Sequence, residues 1–176
     1  EGIKMETALI AKDPKQVDKS QILQLVTFTL GGEEYAVDIL KVQEINRMKE
    51  ITRVPNAPYY VEGVINLRGK VIPVVSLRKM FGLPEEEDKT QQKIMIMDIQ
   101  GVTIGLIVDT VSEVLRISTS IVEPPPAMTY TVSSEFISGI AKLEDRLIIL
   151  LDMDRLIGKE ETQGMVTMAE KTAIEN

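Results

Sequence analysis

The sequence predicts a mainly β protein, because an internal duplication and a regular series of short strands and turns run through it. Residues 61–82 (VEGVINLRGKVIPVVSLRKMFG) return as residues 137–158 (ISGIAKLEDRLIILLDMDRLIG), and residues 25–48 return as residues 94–117. The strands are short, rich in Val and Ile, and separated by turn residues, a spacing that favours small barrels over alternating strands and helices. We therefore predict two pseudo-symmetric, five-stranded SH3-like β-barrels packed side by side, with short helices.

The first copy begins with a hairpin. Apolar and polar residues alternate over residues 25–30, residues 31–34 supply the turn, and residues 35–37 return as the second strand. Asp38 is placed to cap a single helical turn before residues 44–48 extend again. The copy therefore opens with two paired strands and a third strand after a short helical interruption.

A second hairpin and a short helix complete the copy. Residues 64–67 and 71–75 form the hairpin around a turn at Arg68. Ser76 can cap a short helix directly after it, and residues 152–158 repeat that arrangement in the second copy.

The two copies divide the chain into segments. We expect a single domain over residues 21–158, and strands can cross over between its halves, so the boundaries within it are approximate. The segments are an N-terminal tail (1–20), a first barrel (approximately 21–83), an acidic linker (84–92), a second barrel (approximately 93–158) and a C-terminal tail (159–176). The C-terminal tail has helical potential without an obvious core stripe. Two packed units leave a groove between them, and binding sites tend to lie in such grooves.

The amino-acid composition argues against several classes of binding partner and against secretion or membrane insertion. The net charge of −7 and the pI of about 4.8 argue against nucleic acid, whose binding relies on Lys and Arg. Residues 1–20 are polar, unlike a signal peptide, and no apolar run approaches the roughly 20 residues that span a bilayer. The absence of cysteine excludes disulfides and thiolate metal sites. We expect a soluble, cytoplasmic protein without direct membrane insertion.

The residue types that most often carry catalysis are missing. The sequence has no His, no glycine-rich phosphate loop and no nucleophile elbow. Asp109-Thr110-Val111 resembles the start of an aspartic-protease signature, but Leu40 occupies the aligned position of the first copy, so no carboxylate dyad can form. The acidic residues 85–88 fit a solvated linker better than a metal site. We expect no catalytic residue, no metal and no cofactor.

Three motifs in a fixed order carry a resemblance to a known family. They are FTLGGEEYAVDILKVQEI at residues 28–45, VEGVINLRGKVIPVVSL at residues 61–77 and VDTVSEV at residues 108–114. With them the sequence resembles the CheW family of chemotaxis coupling proteins from about residue 22 to residue 158. The resemblance implies no enzymatic activity and two partners: the cytoplasmic hairpin of methyl-accepting chemoreceptors and the regulatory domain of the chemotaxis histidine kinase.

The resemblance also implies where the partners bind. The receptor hairpin would lie in the groove between the barrels, and the receptor-binding positions are Val42, Glu44, Gly63 and Arg68. The kinase would meet the end of one barrel, a surface without a short motif, so no kinase-binding residue is assigned.

Each of the four positions also has an ordinary structural explanation. Arg68 can reach a partner carboxylate from a turn tip, or can be a solvated turn residue. Val42 is equally well explained as core, and Gly63 as a tight backbone passage. Glu44 alternates with Ile45 along a strand, so we expect its side chain to be exposed.

The turn at Arg68 differs most between the copies. Asn66-Leu67-Arg68-Gly69 aligns with Lys142-Leu143-Glu144-Asp145, so the apolar frame is kept while the charges differ. We place the function at this break in the symmetry.

The sequence therefore predicts a non-catalytic chemotaxis adaptor that works in the cytoplasm and is recruited to membrane-anchored receptor arrays. Two alternatives stay open. One is a regulatory CheW-like module of a larger signalling protein, although ends without receiver sequence favour a stand-alone form. The other is a small β-barrel enzyme with a carboxylate site, which a buried carboxylate cluster would favour.

Overall fold

The computed structural model describes residues 21–125 and 134–175, and the predicted N-terminal tail (1–20) lies outside them. The mainly β class is confirmed. The strands of the first copy are β1 (Ile22–Leu30), β2 (Glu33–Asp38), β3 (Val42–Arg47), β4 (Val61–Leu67) and β5 (Lys70–Ser76). Those of the second copy are β6 (Lys93–Ile99), β7 (Val102–Val108), β8 (Thr110–Ser118), β9 (Val122–Glu123), β10 (Ile137–Leu143) and β11 (Arg146–Leu151). The helices are α1 (Leu77–Met80), α2 (Met153–Leu156) and α3 (Lys159–Glu175), with single 3₁₀ turns at Ile39–Lys41, Thr119–Ile121 and Ser134–Phe136.

The two copies exchange strands. One sheet has six strands in the order β8-β1-β2-β11-β10-β9, and the other has five in the order β3-β6-β7-β5-β4. The hairpin β1–β2 of the first copy thus lies among strands of the second, and β6–β7 of the second copy lies among strands of the first. The sheets therefore do not follow the boundary between the sequence copies.

Each sheet bends so that consecutive segments of chain reach its opposite edges. After β3, at one edge, the chain runs to Thr52, which pairs with Val64 of β4 at the other edge. After β8, the chain turns into β9, which pairs with β10 at the far edge of its sheet. This curvature brings the turn between β4 and β5 within reach of β3.

Three apolar clusters fill the fold. A cluster in each sheet is built from side chains of that sheet, with Ile72 and Ile96 in one and Ile148 and Leu150 in the other. The third and larger cluster combines strands of both sheets with α3, and Phe28 and Tyr35 are among its buried members. Because hydrophobic burial is the main favourable term in folding, this shared cluster joins the two sheets into one body.

The predicted turns and helix caps are confirmed. The β4–β5 hairpin turns at Arg68-Gly69. Asp38 caps the first 3₁₀ turn by accepting from the N–H of Leu40 at 2.9 Å. Ser76 and Asp152 cap α1 and α2, as the duplication predicts.

Two ion pairs of opposite polarity tie the halves together at related places. Arg78 of α1 donates from Nε to Oδ1 of Asp109 at 2.7 Å and from Nη2 to Oδ2 at 2.9 Å. Asp154, which replaces Arg78 in the second copy, pairs with Lys41 of the first at 3.1 Å. The hydrogen bonds to Asp109 hold the pKa of Arg78 above its ordinary value despite its partial burial. Each short helix is thereby fixed to the residue that directly precedes a strand of the other copy, Asp109 before β8 and Lys41 before β3.

The prediction of a C-terminal tail without a core stripe is wrong. Residues 159–175 form helix α3, whose buried side chains are Thr162, Met165 and Ala169. Met165 belongs to the large shared cluster. The sequence shows no clear apolar stripe here, because one of its three members is polar and another is small. Residues 21–125 and 134–175 contain no helix that could serve as a membrane span.

We expect Met165→Ala to lower the free energy of unfolding by about 2–5 kcal/mol, because it removes buried contacts and leaves a cavity. Urea denaturation followed by circular dichroism measures the change. Gln163→Ala, at an exposed position of the same helix, should stay within about 0.5 kcal/mol of the parent protein. Equal stability of the two variants would show that α3 is not docked on the core.

Candidate functional site

Arg68 stands on a sharply defined turn. Its φ is +52°, in the left-handed region, and the following Gly69 has φ +83°. The side chain of Asn66 accepts from the N–H of Gly69 at 2.8 Å and fixes the turn. A left-handed conformation costs a residue with a Cβ atom about 1 kcal/mol, which Gly would avoid. The turn therefore presents an arginine side chain at a position where glycine would be more stable.

Glu44 is the partner of Arg68. Arg68 Nη1 donates to Glu44 Oε1 at 3.3 Å, and Nη2 donates to Oε2, so the guanidinium grips both carboxylate oxygens. This two-point geometry fixes orientation as well as distance. The pair joins the edge strand β3 to a turn from which it is separated, within the sheet, by β6 and β7. The Arg68 side chain keeps 72% of its surface exposed, and Glu44 keeps 27%.

The predicted exposure of Glu44 relative to Ile45 is wrong. Glu44 is half-buried, whereas Ile45 is 41% exposed. The register of β3 against β6 shifts between Val42 and Glu44. A bulge inserts one extra residue, and one residue is enough to exchange the two faces of a strand. After Val42, each side chain of β3 therefore lies on the opposite face of the sheet from the one that simple alternation predicts.

The pair stabilises the charged form of both groups. The hydrogen bond from Arg68 is the main cause that holds the pKa of Glu44 below its ordinary value, with smaller contributions from Asn46 and Lys49. The same contact raises the pKa of Arg68. Both groups stay charged at neutral pH. Because Arg68 is largely exposed to solvent, the pair stabilises the fold little.

The other two predicted site residues have structural roles. Val42 is half-buried and packs against the large shared cluster. Gly63 has φ +146°, and a Cβ there would lie 2.1 Å from the carbonyl oxygen of Thr52. Gly63 thus permits the segment at Thr52 to pair with β4. The structure brings Glu44 and Arg68 together, whereas receptor contacts of all four residues stay a prediction.

The second copy has a related ion pair that the sequence comparison missed. Arg146 donates from Nε to Glu34 at 3.2 Å and from Nη2 to Glu113, the counterpart of Glu44, at 2.8 Å. The arginine has therefore moved by two positions relative to the aligned turn. The signal was available, because Glu44 and Glu113 align and an arginine lies beside each turn.

The two arginines differ in how fully they are engaged. Arg146 binds two glutamates and is 39% exposed, whereas Arg68 binds one and is 72% exposed. A guanidinium has five N–H donors. Arg68 retains donors that face solvent and can bind a further carboxylate.

The acidic residues that the sequence raised as catalytic or metal-binding candidates include Asp109 and Glu86, and the structure places both in ion pairs. Asp109 is buried and is engaged by Arg78, and its Oδ2 also accepts from the N–H of Gly31 at 2.9 Å. Glu86 of the acidic linker is bound to the same arginine. Within the part of the chain that the structure describes, no group of three or more acidic side chains is placed to hold a metal ion. Asp109 and Glu86 therefore act in structural ion pairs with Arg78.

A cleft lies beside the turn, with a volume of about 450 Å³. The predicted receptor-binding residues Arg68 and Glu44 do not line this cleft. Gly69 and Lys70 form one wall, and Val166 and Ala169 of α3 form another. Exposed apolar side chains elsewhere include Leu40 (87%) and Tyr59 (68%), which the sequence did not single out.

Comparisons with known proteins point to one family. Residues 24–161 match the sequence model of the CheW-like domain. The chain is 36% identical over 138 residues to a "Chemotaxis protein CheW" of Klebsiella aerogenes, covering 78% of this chain and 83% of the relative. It is 36% identical over 146 residues to the protein of the same name from Helicobacter pylori, covering 83% and 88% of the two chains. The crystal structure of the scaffolding protein TtCheW from Thermoanaerobacter tengcongensis superposes with a TM-score of 0.72 at 40% identity, covering 80% of this chain and 91% of that one.

Gly63→Ala should lower the free energy of unfolding by about 3 kcal/mol, because the new methyl group meets the Thr52 carbonyl and the backbone is strained. Gly69→Ala is the control, since nothing lies within 4 Å of its added Cβ, and backbone strain alone should cost it about 1 kcal/mol. Thermal denaturation compares the two. Equal losses would mean that the approach of Thr52 does not constrain Gly63.

The carboxyl group of Glu44 should titrate below the ordinary pKa of glutamate, and Arg68→Gln should raise its pKa. The folded pKa is depressed, so the stabilisation by the pair is present above the unfolded value of about 4.3. It is lost as the pH falls through the folded pKa. Carbon-detected NMR of the side-chain carboxylate measures the pKa, and Lys142→Gln, a distant lysine, should leave it unchanged. A Glu44 pKa that is the same in Arg68→Gln would contradict the ion pair.

Proposed function

The chain belongs to the CheW-like domain family, and from this membership we propose that it couples the cytoplasmic tips of chemoreceptors to the chemotaxis histidine kinase. As a member of the family it is a chemotaxis scaffold protein and not an enzyme. The two partners of the proposal are the helical hairpin of a methyl-accepting chemoreceptor and the regulatory domain of the kinase. In this role the protein works in the cytoplasm, at arrays of membrane-anchored receptors.

The observation that supports the proposal most directly is the exposed, partly engaged guanidinium of Arg68. Glu44 holds it in one orientation on a fixed turn, so a partner carboxylate meets donors that are already placed. Ordering a long side chain costs about 0.5–1.5 kcal/mol on binding. Here the intramolecular ion pair has already met part of that cost.

The chemistry of the pair suits a receptor helix. A helix that presents a carboxylate can bind Arg68 at two points, and a neighbouring cationic or amide group can reach Glu44, which stays ionised at neutral pH. Apolar side chains of the same helix would pack beside the pair, as in other helix-in-groove complexes. Val42 and Gly63 would contribute indirectly, by holding β3 and β4 in place.

Signal transfer by such an adaptor requires no bond to be made or broken. Binding of the receptor and the kinase to one rigid body fixes their relative positions, and a change in the receptor can then alter kinase activity. The shared apolar cluster supplies the rigidity, since it joins both sheets.

Arg68→Glu should weaken binding to a purified receptor cytoplasmic fragment by about 30-fold, the effect of losing a hot-spot residue worth about 2 kcal/mol. Isothermal titration calorimetry measures the affinity. Lys142→Glu makes the same charge change in the duplicate hairpin and should bind normally.

A charge swap separates contact with the partner from local structure. The double variant Glu44→Arg with Arg68→Glu keeps an ion pair of reversed polarity and should stay folded, but it should still fail to bind. Normal binding by Arg68→Glu in a folded protein would refute the site assignment.

A further inference from the structure

A basic surface lies on the rim of strand β3, apart from the Arg68–Glu44 pair. Arg47 and Lys93 are direct cross-strand partners at the end of β3 and β6. Like charges placed opposite each other on a sheet are destabilising. Lys49 lies two positions after Arg47 and is exposed. Three cations therefore gather at one corner of a chain whose net charge is −7.

These cations lack acidic ion-pair partners among the residues that the structure describes. Across residues 21–125 and 134–175, neither Arg47 nor Lys49 forms an ion pair within 4 Å, and Lys93 donates only a long hydrogen bond of 3.4 Å to the carbonyl of Gln91. Glu44 is near enough to Lys49 to respond to its charge, but it is held by Arg68. Glu50 is the acidic neighbour in sequence, and it is exposed. The corner keeps an excess of positive charge.

An exposed apolar side chain accompanies the charges. Ile45 is 41% exposed and lies on the same face of the strand as Arg47, because the two residues are two positions apart. Met48, just beyond the end of the strand, is 38% exposed. We call the side chains of Ile45, Arg47, Lys49 and Lys93 the basic edge. It offers one apolar and three cationic contacts to the same ligand.

The duplication shows that the fold does not require this charge. The counterpart of β3 is β8, where Val114 is 54% exposed at the position of Ile45. Arg116 corresponds to Arg47, but Ser118 and Gln24 replace Lys49 and Lys93. The exposed apolar residue and the first arginine recur in both copies, whereas the other two cations occur only in the first.

In the part of the chain that the structure describes, the backbone of β3 has a partner strand on one side only. It is an edge strand, and among the described residues only β6 pairs with it. Edge strands offer unpaired N–H and C=O groups to an extended peptide. Successive residues of such a peptide point to opposite faces, so residues two apart would meet Ile45 and Arg47.

We propose that the basic edge binds an extended acidic segment of a partner protein, which adds to β3 as a further strand. One apolar side chain of the segment packs on Ile45, and carboxylates on the same face bind Arg47 and Lys93. A further carboxylate binds Lys49, beyond the end of the strand. This inference does not depend on the proposed function, since it uses neither Arg68 nor Glu44.

The probe is a capped ten-residue peptide of alternating Glu and Val, compared with the same peptide carrying Lys in place of Glu. Fluorescence anisotropy at low salt measures binding to the full chain. The acidic peptide should bind and the basic one should not. Raising the ionic strength should weaken binding, because the contacts are exposed charges.

Arg47→Glu combined with Lys49→Glu should weaken binding of the acidic peptide by about tenfold or more. The pair Lys142→Glu and Lys171→Glu makes the same charge change at exposed positions elsewhere and should bind like the parent protein. Arg47→Glu would face Lys93, so the variant is expected to fold. Hydrogen exchange on the bound complex should show protection of the backbone amides of β3.

Three outcomes would overturn the proposal. The first is equal binding of the acidic peptide by both double variants, and the second is peptide binding without protection of the β3 amides. The third is binding to vesicles of anionic lipid that competes with the peptide and persists at a salt concentration at which the peptide no longer binds. Arg68→Glu should bind the peptide normally. A loss of receptor binding in that variant with intact peptide binding would separate the two surfaces, so failure of one proposal is distinguishable from failure of the other.

Discussion

The large apolar cluster between the two sheets is the constraint on which the rest of the structure depends. Each copy gives its first hairpin to the sheet of the other, and side chains from both sheets meet in that cluster. A half of this size, folded alone, would lack two strands of its sheet and would bury too little apolar surface. The two copies must therefore fold together. The positions of all surface features relative to one another follow from this single packing.

A duplicated frame of this kind separates what the fold needs from what it only carries. The glycines at positions 63 and 139 recur because a segment of chain passes each of them closely. The capped helices recur because each is anchored to the other copy. Glu44 and Glu113 also recur, and each is bound by an arginine from the neighbouring hairpin. The differences are the exposure of that arginine and the cations at the end of β3.

The sequence predicts local features well and long-range ones poorly. Hairpins, turns and caps depend on residues within a few positions of each other, so Asp38, Ser76 and the Arg68 turn were assigned correctly. The exchange of strands depends on pairing between hairpins that are distant in sequence. The alternating pattern of a single strand does not determine which other strand it pairs with. The bulge after Val42 moves each following side chain of β3 to the other face of the sheet, and no residue type in that strand predicts a bulge. The link between Arg68 and Glu44 requires the curvature of the sheet.

The Arg68–Glu44 pair is better understood as an arrangement for binding than as a source of stability. Exposed ion pairs contribute little to stability, and the left-handed backbone of Arg68 is itself unfavourable. The fold therefore gains little from having arginine at this turn. Arg146 is less exposed and binds two glutamates of the protein itself, so more of its donors are used within the fold. One side of the Arg68 guanidinium binds Glu44, and the other side is in contact with water, where a partner can reach it. A scaffold without catalytic chemistry can act only through such contacts, and their placement by a rigid core is what lets it transmit a change in one partner to another.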